Sequence, residues 1–141
     1  MANLRQAVVM RRDLGMTAGL AAAQASHLND MWLREAVLKG NRLTHAGNQS
    51  TIKVGMPNAA YDWLSSPVLS VLSVDTPEEL DVLIKRAKDV GVSYRVWKDT
   101  IPSQVFSAPG KPYFIDLIVG VAFGPDDDEK IKQVTGGLPL W

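Results

Sequence analysis

VLSVLSVDTPEELDVLIKRAKDVGVSYRVW, residues 68–97, reads as strand, helix and strand in one run. Residues 68–74 are apolar and β-branched, which predicts a strand. Thr76-Pro77-Glu78-Glu79 then carries a helix start. Thr76 suits the N-cap, Pro77 the first helical position, where no N–H is needed, and Glu79 completes a capping box. Leu80, Leu83, Ile84 and Ala87 recur at three-four spacing and form one apolar stripe. Lys85, Arg86 and Lys88 lie toward the negative end of the helix dipole, and Gly91 supplies the stop. Residues 92–97 alternate and predict the next strand. Strands separated by a helix imply parallel pairing through crossovers.

Upstream, QAVVM at 6–10 predicts a buried strand that ends at Arg11-Arg12-Asp13. Gly15 and Thr17 make a turn into a helix over 18–39, dense in alanine at its start. Ala21, Ala25, Leu28 and Trp32 share one face; Leu20, Gln24, His27 and Met31 share another. Gly40 ends it. Residues 41–67 are rich in Asn, Gly, Ser, Thr and Pro and read as a long irregular connection, partly ordered, with a short helical turn around Tyr61, Trp63 and Leu64.

Downstream, residues 99–112 are loop-like, with Pro102, Pro109 and Pro112. YFIDLIVGVAF at 113–123 is the most apolar run and predicts a central strand. Gly124-Pro125-Asp126 opens a last helix with Ile131 and Val134 facing inward, and the apolar tail LPLW suggests a buried contact. The acidic run 126–129 reads as charge at that helix's N-terminus. The order of elements is β-α-β-α-β-β-α, and the last two strands, joined by a loop alone, are expected to pair antiparallel. The expected fold is a three-layer α/β/α sandwich around a mixed four-stranded sheet, as one domain over 1–141.

Composition narrows the chemistry. There is no cysteine, which excludes disulfides, thiolate metal sites and cysteine nucleophiles. Two histidines, His27 and His45, give little support to a multi-histidine metal site, although carboxylates and waters leave one open. No metal and no cofactor is expected. MANLRQAVVM lacks a signal-peptide pattern, and no stretch approaches the ~18 apolar residues of a membrane span. A soluble cytoplasmic protein is expected. Fifteen basic residues balance fifteen acidic ones, whereas proteins that grip nucleic acid usually carry a basic surplus. Trp32, Trp63, Trp97 and Trp141 are of a type that stacks on bases, but as isolated aromatics they read first as core or interface.

Three blocks carry a resemblance. The first is Gln6-Ala7-Val8-Val9-Met10-Arg11-Arg12-Asp13-Leu14-Gly15-Met16, continuing to Ala22-Ala23-Gln24-Ala25-Ser26-His27. The second is Lys98-Asp99, Ser103-Gln104-Val105 and Ala108-Pro109-Gly110. The third is Gly124-Pro125, Ile131, Val134-Thr135-Gly136 and Leu138. In this order they resemble the type 2 peptidyl-tRNA hydrolases, over about residues 5–141 apart from 41–67. The chain departs from the family at Gly19-Leu20, where the family has a Gly-Lys step whose lysine is implicated in catalysis. A leucine has no charge or donor with which to meet developing negative charge. Ser103 stands for the family's threonine, Lys111 for the threonine after Pro-Gly, and the connection after the first helix is longer.

The resemblance implies hydrolysis of the ester between a peptidyl, or N-blocked aminoacyl, group and tRNA, by a homodimer. Such a reaction needs an aligned water, a proton acceptor and donors for the oxyanion. Asp99 would orient or deprotonate the water with Ser103. Gln104 or loop amides would meet the oxyanion, and Gln24 and His27 would support the site. Lys111, Lys98, Arg11 and Arg12 are the cations that would replace the missing lysine. Two alternatives stay open. One is a related hydrolase or transferase acting on a non-tRNA acyl substrate, which the uncharged Leu20 would suit; the other is a catalytically silent binding domain.

Overall fold

The computed structural model describes residues 3–102 and 113–141, without the side chains of residues 45, 46, 101, 102 and 113–115. Strand β1 (Leu4–Arg11) leads through a 3-10 turn into helix α1 (Ala18–Lys39). A hairpin of β2 (Asn41–Ala46) and β3 (Gln49–Lys53) follows, then α2 (Asn58–Ser65), β4 (Leu69–Val74), α3 (Pro77–Val90), β5 (Tyr94–Pro102), β6 (Tyr113–Asp127) and α4 (Asp128–Thr135). The main sheet has the order β4-β1-β6-β5. β1 runs parallel to β4, while β6 lies antiparallel to both β1 and β5. This is the expected mixed sheet, with residues 113–123 in an inner strand.

Within 41–67 the expected helical turn around Tyr61, Trp63 and Leu64 forms as the two-turn helix α2, while the expectation of an irregular connection is corrected at 41–53, which holds a hairpin. Gly47, with φ +59°, begins the two-residue turn. The apolar tail is not spare surface either. Ser73 donates to the Pro139 carbonyl at 3.0 Å and Trp141 to that of Val71 at 3.0 Å, so the tail covers the free side of edge strand β4 within its own chain.

Two apolar layers sandwich the sheet. On one face Leu80, Leu83 and Ala87 of α3 and Ile131 and Val134 of α4 pack against Ala7, Val9, Val121 and Phe123. On the other, Ala21 and Leu28 of α1 pack against Val8, Met10 and Ala122. The capping box at Thr76 and Glu79 forms as the sequence indicated, and Gly91 closes α3 in the left-handed region at φ +84°. Among the described residues no helix is long and apolar enough to cross a membrane.

Gly120 lets α1 approach β6. A Cβ there would stand 2.4 Å from the Val9 carbonyl oxygen and 3.0 Å from Leu28 Cδ1, and backbone cannot step aside as a side-chain tip can. Gly120→Ala is therefore expected to destabilise the chain by about 1–3 kcal/mol, read as a lower urea midpoint.

At the opposite end of β1, Arg5 ties the sheet to α4. It donates to Asp128 and, at 2.6 Å, to Ser70 Oγ, while Lys132 reaches Asp128 at 2.8 Å. The hydrogen bond from Lys132, then that from Arg5, holds the Asp128 carboxyl below its ordinary value. A carboxylate depressed in the folded state adds stability above its unfolded value and loses it as pH falls through the folded value. In acid titrations of urea unfolding, Asp128→Asn should lose stability less steeply than wild type below about pH 4, with the two curves converging at the acid extreme.

Candidate active site

β5 decides what faces α1. Its odd positions point to that helix: Arg95 donates to Glu35 at 2.7 Å, and Trp97 and Asp99 both meet Gln24. Tyr94 and Val96 pack into the opposite layer, as the two-residue period of a strand requires.

Gln24 is the hub. It is 2% exposed, and both ends of its amide are used. Trp97 Nε1 donates to Gln24 Oε1, and Gln24 Nε2 donates to Asp99 Oδ2 at 2.8 Å. The first bond fixes which end of the amide faces Asp99, so the carboxylate meets a donor. Asp99 Oδ1 accepts from the Thr100 amide at 2.8 Å. The two oxygens are thus oriented while the side chain stays partly open to solvent. His27, one turn after Gln24 on α1, stacks on the Trp97 ring with centroids 4.7 Å apart and planes at 21°. Leu20 lies one turn before Gln24 on the same stripe, half-buried, where its own N–H donates to the capping Thr17.

Next to Asp99 the β5–β6 ladder is bulged. Asp99 pairs with Leu117 and Ile101 with Phe114, so β6 spends an extra residue there, and Asp116 takes φ +51°. Bulges of this kind re-aim side chains and gather near functional sites.

The expected cations separate. Arg12 donates to Ser73 Oγ at 3.1 Å and to the Leu140 carbonyl at 3.0 Å, and lies over the Trp141 ring. It is committed to β4 and the tail. Arg11 forks onto Asp13 at 2.8 and 3.1 Å and donates to the Ile118 carbonyl at 3.1 Å, opposite Lys98 in the ladder. It stands near the Asp99 end of the sheet with its charge already balanced. Lys98 is exposed and forms no ion pair among the described residues. Ser103, Gln104 and Lys111 lie outside the described residues. The structure thus brings together Gln24, His27 and Asp99, and adds Trp97, which the sequence had suggested as core or a base-stacking ring. Its signal was available: two residues before Asp99 in a strand is the same face.

Two clefts among the described residues lie elsewhere. A groove of about 820 Å³ beside Arg5, Asp62, Trp63 and Asp128 sits at the start of β1, and an apolar hollow of about 390 Å³ lies between Trp32, Leu33, Trp63, Leu64, Pro67 and Leu69. Neither is lined by Asp99 or Gln24. Among the described residues, no group of three or more His, Asp or Glu side chains is placed to hold a metal ion.

With this geometry in view, comparison with known proteins is informative. The family described as Peptidyl-tRNA hydrolase PTH2 matches residues 4–141. A peptidyl-tRNA hydrolase of Methanocaldococcus jannaschii is 30% identical over 138 residues, covering 97% of this chain and 99% of its own. One from Nanoarchaeum equitans is 39% identical over 103 residues, covering 71% of this chain and 83% of its own. A solved structure of a protein of unknown function from Agrobacterium tumefaciens aligns over 100% of this chain and 99% of its own, with a TM-score of 0.56 at 13% identity, a likeness of fold alone.

Proposed function

The chain belongs to the peptidyl-tRNA hydrolase PTH2 family, and from that premise we propose that it hydrolyses the ester between a peptidyl group and tRNA at the Asp99 carboxylate. The observation that carries the site is the bridge Trp97–Gln24–Asp99, which spends a buried amide on orienting one carboxylate.

The reaction follows from that orientation. Asp99 accepts a hydrogen bond from water and takes its proton as the water oxygen bonds to the ester carbonyl carbon. The carbonyl oxygen becomes an oxyanion. As it collapses, the bond to the ribose oxygen breaks and Asp99 returns the proton to that oxygen. The products are a peptide carboxylic acid, which releases the remaining water proton to solvent, and tRNA with a free terminal hydroxyl. Gln24 is a positioning residue: it acts through Asp99. Lys98, at an even position of β5, points away from Asp99 by the two-residue period, so the cation we assign to the oxyanion in place of the lysine missing at Leu20 is Arg11, at the Asp99 end of the sheet. Ser103 and Gln104 are assigned by resemblance to the same surroundings, Ser103 to the water and Gln104 to the oxyanion, and Lys111, which departs from the family's threonine, is a further cation for the place left by Leu20.

One observation favours the rival reading, a non-tRNA acyl substrate: Leu20 brings an apolar side chain to the turn before Gln24. The test offers N-acetylaminoacyl-tRNA and a small N-acetylamino-acid ester together. Faster release from tRNA by orders of magnitude in kcat/KM supports the proposal. Preference for the small ester transfers the site to the rival, and no release from either leaves a binding domain.

We further propose cytoplasmic action during translation and a homodimer, supported by the exposed apolar run of Val68, Leu69 and Leu140 along β4 and the tail. Light scattering should give twice the 15.4 kDa chain mass.

A further inference from the structure

We propose that the β2–β3 hairpin is an arm that grips the phosphate backbone of the tRNA about one helix length from the reacting ester; this rests on the reading above. The chain as a whole is neutral, yet its charge is not evenly spread. Between Glu35 and Asp62 lie 26 residues without a single carboxylate, and they contain Lys39, Arg42 and Lys53 together with His45. The fold concentrates these charges. Asn41 pairs with Lys53 and Arg42 with Ile52, so Arg42 and Lys53 stand on neighbouring strands at the foot of the hairpin, one on each of its faces, and Lys39 ends α1 two residues before it.

Among the described residues Arg42 and Lys53 form no ion pair, while Lys39 lies close enough to Glu35 to help hold that carboxyl below its ordinary value. The Arg42 guanidinium rests on Ser50 Oγ at 2.7 and 3.2 Å, which extends it across the hairpin while leaving its charge uncompensated. The hairpin is a two-stranded sheet of its own, and every residue of β3 is exposed. Its foot closes on the end of α1: a Cβ on Gly40 would meet the Lys53 carbonyl oxygen at 2.7 Å and Ile52 Cγ2 at 2.8 Å. The rest of the surface offers Asn41, Thr44, Asn48, Gln49 and Thr51, with Leu43 and Ile52 exposed among them. Cations among neutral hydrogen-bonding side chains suit a phosphate and 2′-hydroxyl surface, which is how paired RNA is held without regard to sequence.

Distance selects the ligand. α1 separates Gln24 from Gly40 by 16 residues, about 24 Å at the helical rise. A ligand that touches Asp99 and the arm at once must span that length. A small acyl compound does not, whereas a tRNA carrying its ester at the end of a paired stem does. The arm also accounts for how a chain with no net basic surplus, and no lysine at position 20, holds a polyanion.

The test uses the full chain carrying Arg42→Gln and Lys53→Gln together, both exposed and remote from the core. Binding of uncharged tRNA is measured across salt. The arm requires the slope of log affinity on log salt to become shallower by about 1.4–1.8, and affinity near 0.1 M salt to fall by about tenfold. On N-acetylaminoacyl-tRNA, KM should rise with kcat unchanged, while a short oligonucleotide bearing the same ester should be hydrolysed as by wild type. An unchanged slope and affinity overturn the arm, as does wild type that binds no tRNA. If wild type hydrolyses neither substrate but the variant still loses slope, the arm stands and the hydrolase reading falls.

Discussion

Asp99→Asn is expected to lower kcat on N-acetylaminoacyl-tRNA by about 10²–10⁴, the usual worth of a positioned acid-base group. The substitution keeps the size of the side chain, but its single oxygen accepts from only one of Gln24 Nε2 and the Thr100 amide, and its NH2 turns toward the other donor. It removes the charge and with it the capacity to take a proton from water. The fold should lose little: Asp99 is partly open to solvent, so the donor that loses its oxygen can turn to water. A thermal midpoint close to wild type beside lost turnover is the signature of a group that does chemistry. Retained turnover would move the proton transfer to another residue, and a collapsed midpoint would mean that Asp99 is a turn cap.

Gln24→Ala should be costly in two currencies. It leaves the Trp97 N–H without its acceptor in a half-buried setting, which costs about 1–3 kcal/mol of stability. It also frees the Asp99 carboxylate to rotate, and a misplacement of about 1 Å is worth about 10²-fold in rate. Stability loss alone would not separate positioning from packing, so Gln24→Glu is the companion. That variant still accepts from Trp97 but sets a carboxylate where Asp99 had a donor. Two carboxylates in contact cannot both stay charged at ordinary cost. The acid limb of the pH–kcat profile should therefore move to higher pH, with the folded state retained. A residue that only fills space would leave the profile where it was.

The parts of the fold legible in the sequence are those written locally or by burial. Thr76, Pro77, Glu79 and Gly91 mark the two ends of α3 within sixteen residues, and the structure forms each cap. The strands at 6–10 and 113–123 are apolar because both faces of the sheet are covered. The hairpin at 41–53 was unreadable for the opposite reason. Every residue of β3 is exposed, so no buried face impresses a two-residue period on NRLTHA and QSTIK. Gly47-Asn48 was the one turn signal available there.

The site divides in the same way. Gln24, His27 and Asp99 stood out through their place in the resembling blocks, and the structure puts Gln24 and Asp99 in hydrogen-bond contact with His27 one turn away. Trp97 was available from strand parity but carried no chemistry of its own to draw notice. The separation of Arg11 from Arg12 was invisible, because it depends on a tail whose docking against β4 is made of backbone hydrogen bonds.

The most direct test is single-turnover release of N-acetylated amino acid from tRNA by wild type and by Leu20→Lys, side by side. The expected result is that wild type turns over well above the uncatalysed rate and that Leu20→Lys changes it by no more than about tenfold, because Asp99 and a cation other than residue 20 already complete the site. The contradicting result is an inert wild type beside an active Leu20→Lys, which would leave the Asp99 site intact in form but assign the natural chain to a different substrate.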